Sequence, residues 1–331
     1  MPSETDRPTP PLGPGTVSLR LYPHNELSAP EVVDRLCSMA VRAVEEGFDG
    51  VLTSEHHGGF AGYLPNPLQV TGFQLAAMPR GWAAPAPVLL PLRPVAMLAE
   101  EVAWLDARFP DRVAVGVGPG SLELDFEAMD QSLDDAVTRF KRDLPRLAAM
   151  LRGEELGVLD GDRALGGLAR DGRAIPVVST AMSPAAARRA AACGVGVIYD
   201  GASVHERLRR LSDVHRDAGG SGPRVLLRRV WLGEPPADLF EAQFDVYRSY
   251  TPAERQAHWE GSGWIVGDDP AALAAQLVEA VDATASTCLN LRIHAPGLDP
   301  DLAEEQIEAL GREVVPAVRS GLVDAGVAGS A

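Results

Sequence analysis

A chain of 331 residues can hold one large domain or two ordinary ones, and 46% hydrophobic content supports a sizeable core. The formal charge of −16 at pH 7 argues against nucleic acid or an anionic membrane surface as partner, because both present dense negative charge. Three cysteines, Cys37, Cys193 and Cys288, lack CxxC spacing; they supply neither a disulfide nor a zinc framework and suit a reducing compartment.

Residues 1–15 are rich in proline and polar side chains, without a basic-then-apolar signal pattern, and read as a disordered leader. Strand patterns then fall near 16–22, 49–54, 85–91, 112–117, 175–180, 195–200, 224–231 and 287–294, with helix patterns between them. Such alternation favours a parallel sheet with crossover helices. Eight repeats predict an α/β fold closed into a (β/α)8 TIM barrel rather than an open, doubly wound sheet. Helix starts are marked by Ser28-Ala29-Pro30-Glu31, a capping hydroxyl three residues ahead of a glutamate, and by Ser183-Pro184 and Asp269-Pro270. Two intervals exceed the bare repeat. Residues 119–174 carry a long helix (131–152) and a Gly-rich charged stretch; residues 231–266 carry Trp231, Trp259 and Trp264. No linker divides residues 16–320, which are expected to form one domain followed by a flexible tail over 321–331. No apolar run approaches membrane-spanning length, so a soluble, cytoplasmic protein is expected.

Chemistry concentrates at the C-terminal end of the second strand, Gly50-Val51-Leu52-Thr53-Ser54, which runs into Glu55-His56-His57. Parallel barrels place their active sites at this edge. Histidine titrates near neutrality and can move protons there, and a carboxylate such as Glu55 can fix an imidazole tautomer. The same triplet also reads as loop residues capping backbone groups. Ser183, after Ser179-Thr180-Ala181-Met182, opens a helix whose free N–H groups and dipole suit an anion, and it is equally an ordinary N-cap. Gly116-Val117-Gly118-Pro119-Gly120-Ser121 is a glycine loop that lacks the GxGxxG dinucleotide spacing. Tyr22, His24, Arg229, Trp231 and His294 lie at strand ends, where they either line a substrate pocket or pack.

Taken together in order, several segments resemble the bacterial luciferase-like family of flavin-dependent oxidoreductases. They are Gly47 to His57 continuing to Asn66-Pro67, Leu90-Pro91-Leu92-Arg93-Pro94 with Leu98-Ala99-Glu100-Glu101-Val102 and Leu105-Asp106, and Val113 to Gly120. Ile175 to Ser179 leading into Ser183 to Ala191, then Gly267 to Pro270 and Leu289 to Arg292, complete the match from about residue 17 to 318. The resemblance implies a monooxygenase using O2 and reduced FMN, delivered by a separate flavin reductase, on a small-molecule substrate, most simply as a homodimer. The active-site histidine of the family falls in the pair His56 and His57, preferentially His56, and there assists a flavin C4a-hydroperoxide by hydrogen bonding or proton transfer. Gly118, Ser121, Leu122, Ser179 and Ser183 fall at the flavin-binding positions. Ala86-Pro87 falls where the family shows a cis peptide beneath the isoalloxazine ring; a trans bond with the strand starting at Val88 is the other reading. This chain departs from the family at Pro119, where an arginine often binds phosphate, which points to weak flavin retention. Two alternatives share the resemblance: hydride transfer with an 8-hydroxy-deazaflavin coenzyme, and a non-catalytic flavin-binding barrel.

Overall fold

The computed structural model describes residues 9–251, 253–259 and 263–327. Ten parallel strands are recognised there. They are β1 (Val17–Arg20), β2 (Gly50–Thr53), β3 (Trp82–Pro85), β4 (Val88–Leu89) and β5 (Val115–Gly118), then β6 (Val177–Thr180), β7 (Gly196–Tyr199), β8 (Arg224–Leu232), β9 (Trp264–Gly267) and β10 (Cys288–Arg292). Their order is β3-β2-β1-β10-β8-β7-β6-β5-β4, with β9 beside β8. β3 and β4 are halves of one broken strand: β3 pairs with β2, β4 pairs with β5, and a bridge from Ala83 to Val113 closes the ring. Eight staves therefore form the α/β barrel expected from the repeats, and β9 is an addition on the outer half of the long β8.

Thirteen α-helices accompany the strands among the described residues, and those used below are α2 (Pro67–Ala77), α3 (Val95–Arg108), α4 (Glu123–Glu127), α5 (Ala136–Met150), α7 (Pro184–Ala192), α8 (His205–Asp217), α9 (Ala237–Tyr250) and α13 (Val315–Asp324). Local chemistry sets several starts. Glu31 accepts from the backbone and hydroxyl of Ser28 at 2.9 and 2.6 Å, while Asn66 and Asp269 accept from Gln69 and Ala271.

Strand alternation sends one set of side chains to the helices and the other into the lumen. Leu19, Val51 and Ala83 are paired in register and face the outer core. Trp82, Leu52, Ala84, Val178, Ile198 and Val225 pack a second, inner cluster. Gly50 is obligatory beside Trp82, because a Cβ there would lie 2.3 Å from the indole. Higher in the lumen the chemistry turns polar. Ser18 pairs with Asn290, and Arg20 donates to Asn290 at 2.9 Å, to the Ala86 carbonyl at 2.6 Å and to Ser54.

Three expectations need correction. Residues 10–15 do not form a disordered leader: Leu12 is buried in the inner cluster, Gly15 N donates to Thr287 at 2.8 Å, and the Cys288 thiol donates to the Leu12 carbonyl. These contacts plug the barrel floor, so proline content there encodes turns rather than disorder; residues 1–8 lie outside the described residues. Helix α13 runs to Asp324 with Leu322 fully buried, so the flexible tail cannot start at 321, and residues 328–331 lie outside the described residues. The third strand ends at Pro85 and resumes at Val88, and 90–92 is a 3-10 turn, because Pro87 and Pro91 offer no N–H to a ladder. No helix among the described residues is long and apolar enough to cross a membrane.

Candidate active site

The Glu55-His56-His57 triplet leaves β2 into the mouth of the barrel, and each member acquires a fixed partner. Glu55 is buried and accepts from Arg93 at 2.7 Å, the Leu89 N–H at 2.5 Å and His57 Nε2 at 3.1 Å. Burial alone would raise its pKa, but His57, the Arg93 charge and the Leu89 amide together bring it below the ordinary carboxylate range. His57 is thereby held as an Nε2 donor, buried against the β4 tip.

His56 is held by a residue the sequence reading did not select. Asp125, on α4 and fully buried, accepts from His56 Nδ1 at 2.8 Å and from the His57 backbone N–H at 2.7 Å. With Nδ1–H committed to the carboxylate, Nε2 carries the free lone pair of a neutral imidazole. Among the described residues Nε2 makes no hydrogen bond, and the ring keeps 18% exposure. Aromatic neighbours wall it: Phe60 at 4.9 Å and Tyr63 at 4.4 Å between centroids. The signal for Asp125 is faint, one of several carboxylates in a short helix after a glycine loop. Arg93 sat within a family motif without a stated role.

From Tyr63 the contacts continue across the mouth. Tyr63 packs edge-on to Tyr22 at 5.2 Å, Tyr22 stacks on His294 at 5.2 Å, and His294 meets His24 at 5.0 Å. The Tyr63 and Tyr247 hydroxyls lie 2.9 Å apart, and Arg292 donates to Tyr247 at 2.8 Å. Burial pushes the Tyr63 phenol well up. Burial acts on Tyr247 in the same sense, but Arg292 and Arg229 outweigh it and bring that phenol below its ordinary value. Either hydroxyl can donate across the pair. Burial also depresses both imidazoles, His294 far below its ordinary value. Tyr22, His24, Arg229 and His294 thus meet in one cluster with His56. Trp231 does not join them: its indole donates to the Glu234 carbonyl at 2.9 Å and packs against Phe240 of α9. Its contacts make it core between the end of β8 and α9, although it shares the strand parity of Arg229.

The opposite side of the mouth is a ledge of small residues. The Ala86-Pro87 bond is cis. The Glu55 N–H bonds the Pro87 carbonyl at 3.1 Å, which ties the ledge to the histidine loop. At Gly118 a Cβ would stand 3.2 Å from Thr180 Oγ1 and 3.5 Å from Pro87 Cβ, so glycine keeps the tips of β4, β5 and β6 open. Ser121 is exposed, Leu122 half-buried and Ser179 buried. Ser183 caps α7, accepting from Ala186 N at 3.2 Å. Arg207 of α8 donates to the Met182 carbonyl at 2.8 Å, and its buried Nε has no partner. A cation thus stands beside the Ser179–Ser183 loop.

Comparison with known proteins agrees with this architecture. No curated protein matches the chain. Among solved structures, monooxygenase RslO1 from Streptomyces bottropensis is 20% identical over 91% of this chain and 99% of its own, with a TM-score of 0.73. The FMN-bound oxygenating constituent of 3,6-diketocamphane monooxygenase from Pseudomonas putida is 19% identical over 92% and 98%, with a TM-score of 0.70. An F420-dependent secondary alcohol dehydrogenase is 17% identical over 92% and 98%, with a TM-score of 0.64. These likenesses speak to the fold. The sequence profile of the luciferase-like monooxygenases matches residues 17–264, and on that match the chain belongs to this enzyme family.

Proposed function

We propose that the protein is a flavin-dependent monooxygenase that uses O2 and reduced FMN, delivered by a separate reductase, to oxygenate a small organic molecule. The observation that carries this reading is the Asp125–His56 pair at the end of β2, on a loop tied to the Pro87–Gly118–Thr180 ledge through Glu55. The residues fit a flavin: the ledge is flat where a Cβ would fill it, and the α7 start with Ser179, Ser183 and Arg207 offers N–H groups, hydroxyls and a cation to a phosphate. Ser121 and Leu122 would flank the same end. When bound, reduced flavin supplies O2 activation and oxygen transfer. The chain contributes the rest. Asp125 orients His56 so that Nε2 can accept or return a proton, Glu55 and Arg93 lock His57 and the loop, and the aromatic walls exclude water.

A deazaflavin hydride-transfer enzyme is the second reading, favoured by the likeness to an F420-dependent dehydrogenase. Anaerobic titration with reduced FMN, oxidised FMN and the deazaflavin, followed by O2 uptake, decides between them. Reduced FMN should bind most tightly and the purified protein should be nearly colourless. Tight, exclusive binding of the deazaflavin would overturn the monooxygenase reading. A homodimer is supported by the exposed Phe73 of α2 and Met97 and Trp104 of α3, and light scattering should give twice the chain mass.

A further inference from the structure

The lumen mouth buries a cation that has no counter-charge among the described residues. Among the described residues Arg292, 2% exposed, donates to Tyr247 and to the His294 carbonyl and lies 4.2 Å from the Tyr22 ring, yet pairs with no carboxylate, and its Nη2 has no hydrogen-bond partner. Beside it, both ring nitrogens of His294 (3% exposed) and Nε2 of His24 also lack partners. Buried polar groups are nearly always paired, and a buried guanidinium without an anion is especially costly. Four such atoms within one cluster of touching side chains point to a ligand that completes them.

The donor inventory defines that ligand. Arg292 Nη2 can only donate, so its partner is an acceptor, and a negative one balances the charge. A neutral imidazole carries one donor and one acceptor, so His294 calls for an acceptor on one side and an O–H or N–H on the other. The surrounding rings of Tyr22, Tyr63 and Tyr247 suit a flat molecule. The cofactor ledge lies on β4, β5 and β6, across the ring from β8, β10 and β1, so its phosphate is not the completing anion.

We infer that Arg292 is the anion-binding residue of the substrate pocket and that the substrate is an aromatic oxyanion carrying a neighbouring hydroxyl, bound between Arg292, His294 and His24. This rests on the monooxygenase reading for the identity of the pocket.

Calorimetry on the full chain, with and without FMN, tests it with 3-hydroxy-2-naphthoate and its neutral carboxamide as probes. The acid should bind at least tenfold more tightly than the amide. Arg292→Gln should reduce that preference below twofold while leaving FMN affinity within twofold. Equal affinities, no saturable binding of the acid, or a preference that survives Arg292→Gln would overturn the inference. So would a parallel loss of FMN affinity, which would assign the cation to the cofactor. If the Gln variant does not fold, Arg292→Lys keeps a point charge without the guanidinium fork: acid affinity should fall with the preference retained, and unchanged affinity refutes the role. Failure of the flavin reading is seen separately, as wild type that prefers the acid but binds no FMN; that result leaves the anion site standing.

Discussion

Asp125→Asn isolates the orientation of His56 from its presence. The carboxylate accepts twice, from His56 Nδ1 at 2.8 Å and from His57 N at 2.7 Å. Asparagine has one acceptor oxygen. The His57 amide can only donate and therefore claims it, leaving the NH2 group toward His56. His56 then satisfies that donor by presenting Nδ1 as a lone pair, which moves the ring proton to Nε2. The basic nitrogen at the mouth becomes a donor. Both hydrogen bonds survive in number but both lose their charge assistance, and since charge-assisted bonds are about twice as strong as neutral ones the fold should lose roughly 2 kcal/mol. A domain of this size should then melt about 3 °C lower. Proton transfer is affected far more, by about 10²–10⁴-fold in turnover. Nitrogen-15 spectra of the His56 ring read the tautomer directly, and O2 uptake with photoreduced FMN reads turnover. A near-native Tm with an inverted tautomer and depressed turnover is expected. An unchanged tautomer, or turnover within twofold of wild type, would refute the argument.

Replacing His56 by Ala should raise the fraction of consumed O2 released as hydrogen peroxide while leaving reduced-FMN affinity within about threefold, since the ring is placed to manage a proton rather than hold the cofactor; an unchanged peroxide fraction would remove it from the chemistry. Glu55→Gln should cost about 2 kcal/mol, because it leaves Arg93 and the Leu89 amide with a weaker acceptor. The depressed pKa of Glu55 gives stability that is present above the unfolded value of 4.5 and is lost as pH falls below it, so this variant should show a flatter acid limb in urea melts. His24, His215 and His294 are depressed by burial, so the unfolded chain takes up protons near 6.5 that the fold refuses. Stability should therefore decline as pH drops below about 6.5, by up to about 1.4 kcal/mol per pH unit for each histidine, and His294→Gln should remove one proton from that slope. Arg207→Ala should weaken FMN binding about tenfold and leave riboflavin unaffected, because the guanidinium stands at the phosphate end; equal losses for both would exclude a phosphate contact.

Much of this protein was legible along the chain because its signals are local. Alternating strand and helix periods announced the barrel, and Ser28, Ser183 and Asp269 marked helix starts through hydrogen bonds within three residues. Glu55-His56-His57 was visible because strand end and chemistry are adjacent in sequence. What the sequence could not announce depends on which strands become neighbours. Asp125 reaches His56 across 69 positions, and Arg292 meets Tyr22 only because β10 pairs with β1 in a closed ring. The same closure gathers Arg20, Arg229 and Arg292 into one lumen and buries Leu12 under its floor, against a proline-rich composition that suggests disorder. Trp231 shows the converse. Its strand-end position suggested a pocket, and it shares the strand parity of Arg229, but at the outer end of β8 the packing of α9 covers it with Phe240. Local propensity determined the elements; ring closure and strand register decided which side chains share the mouth.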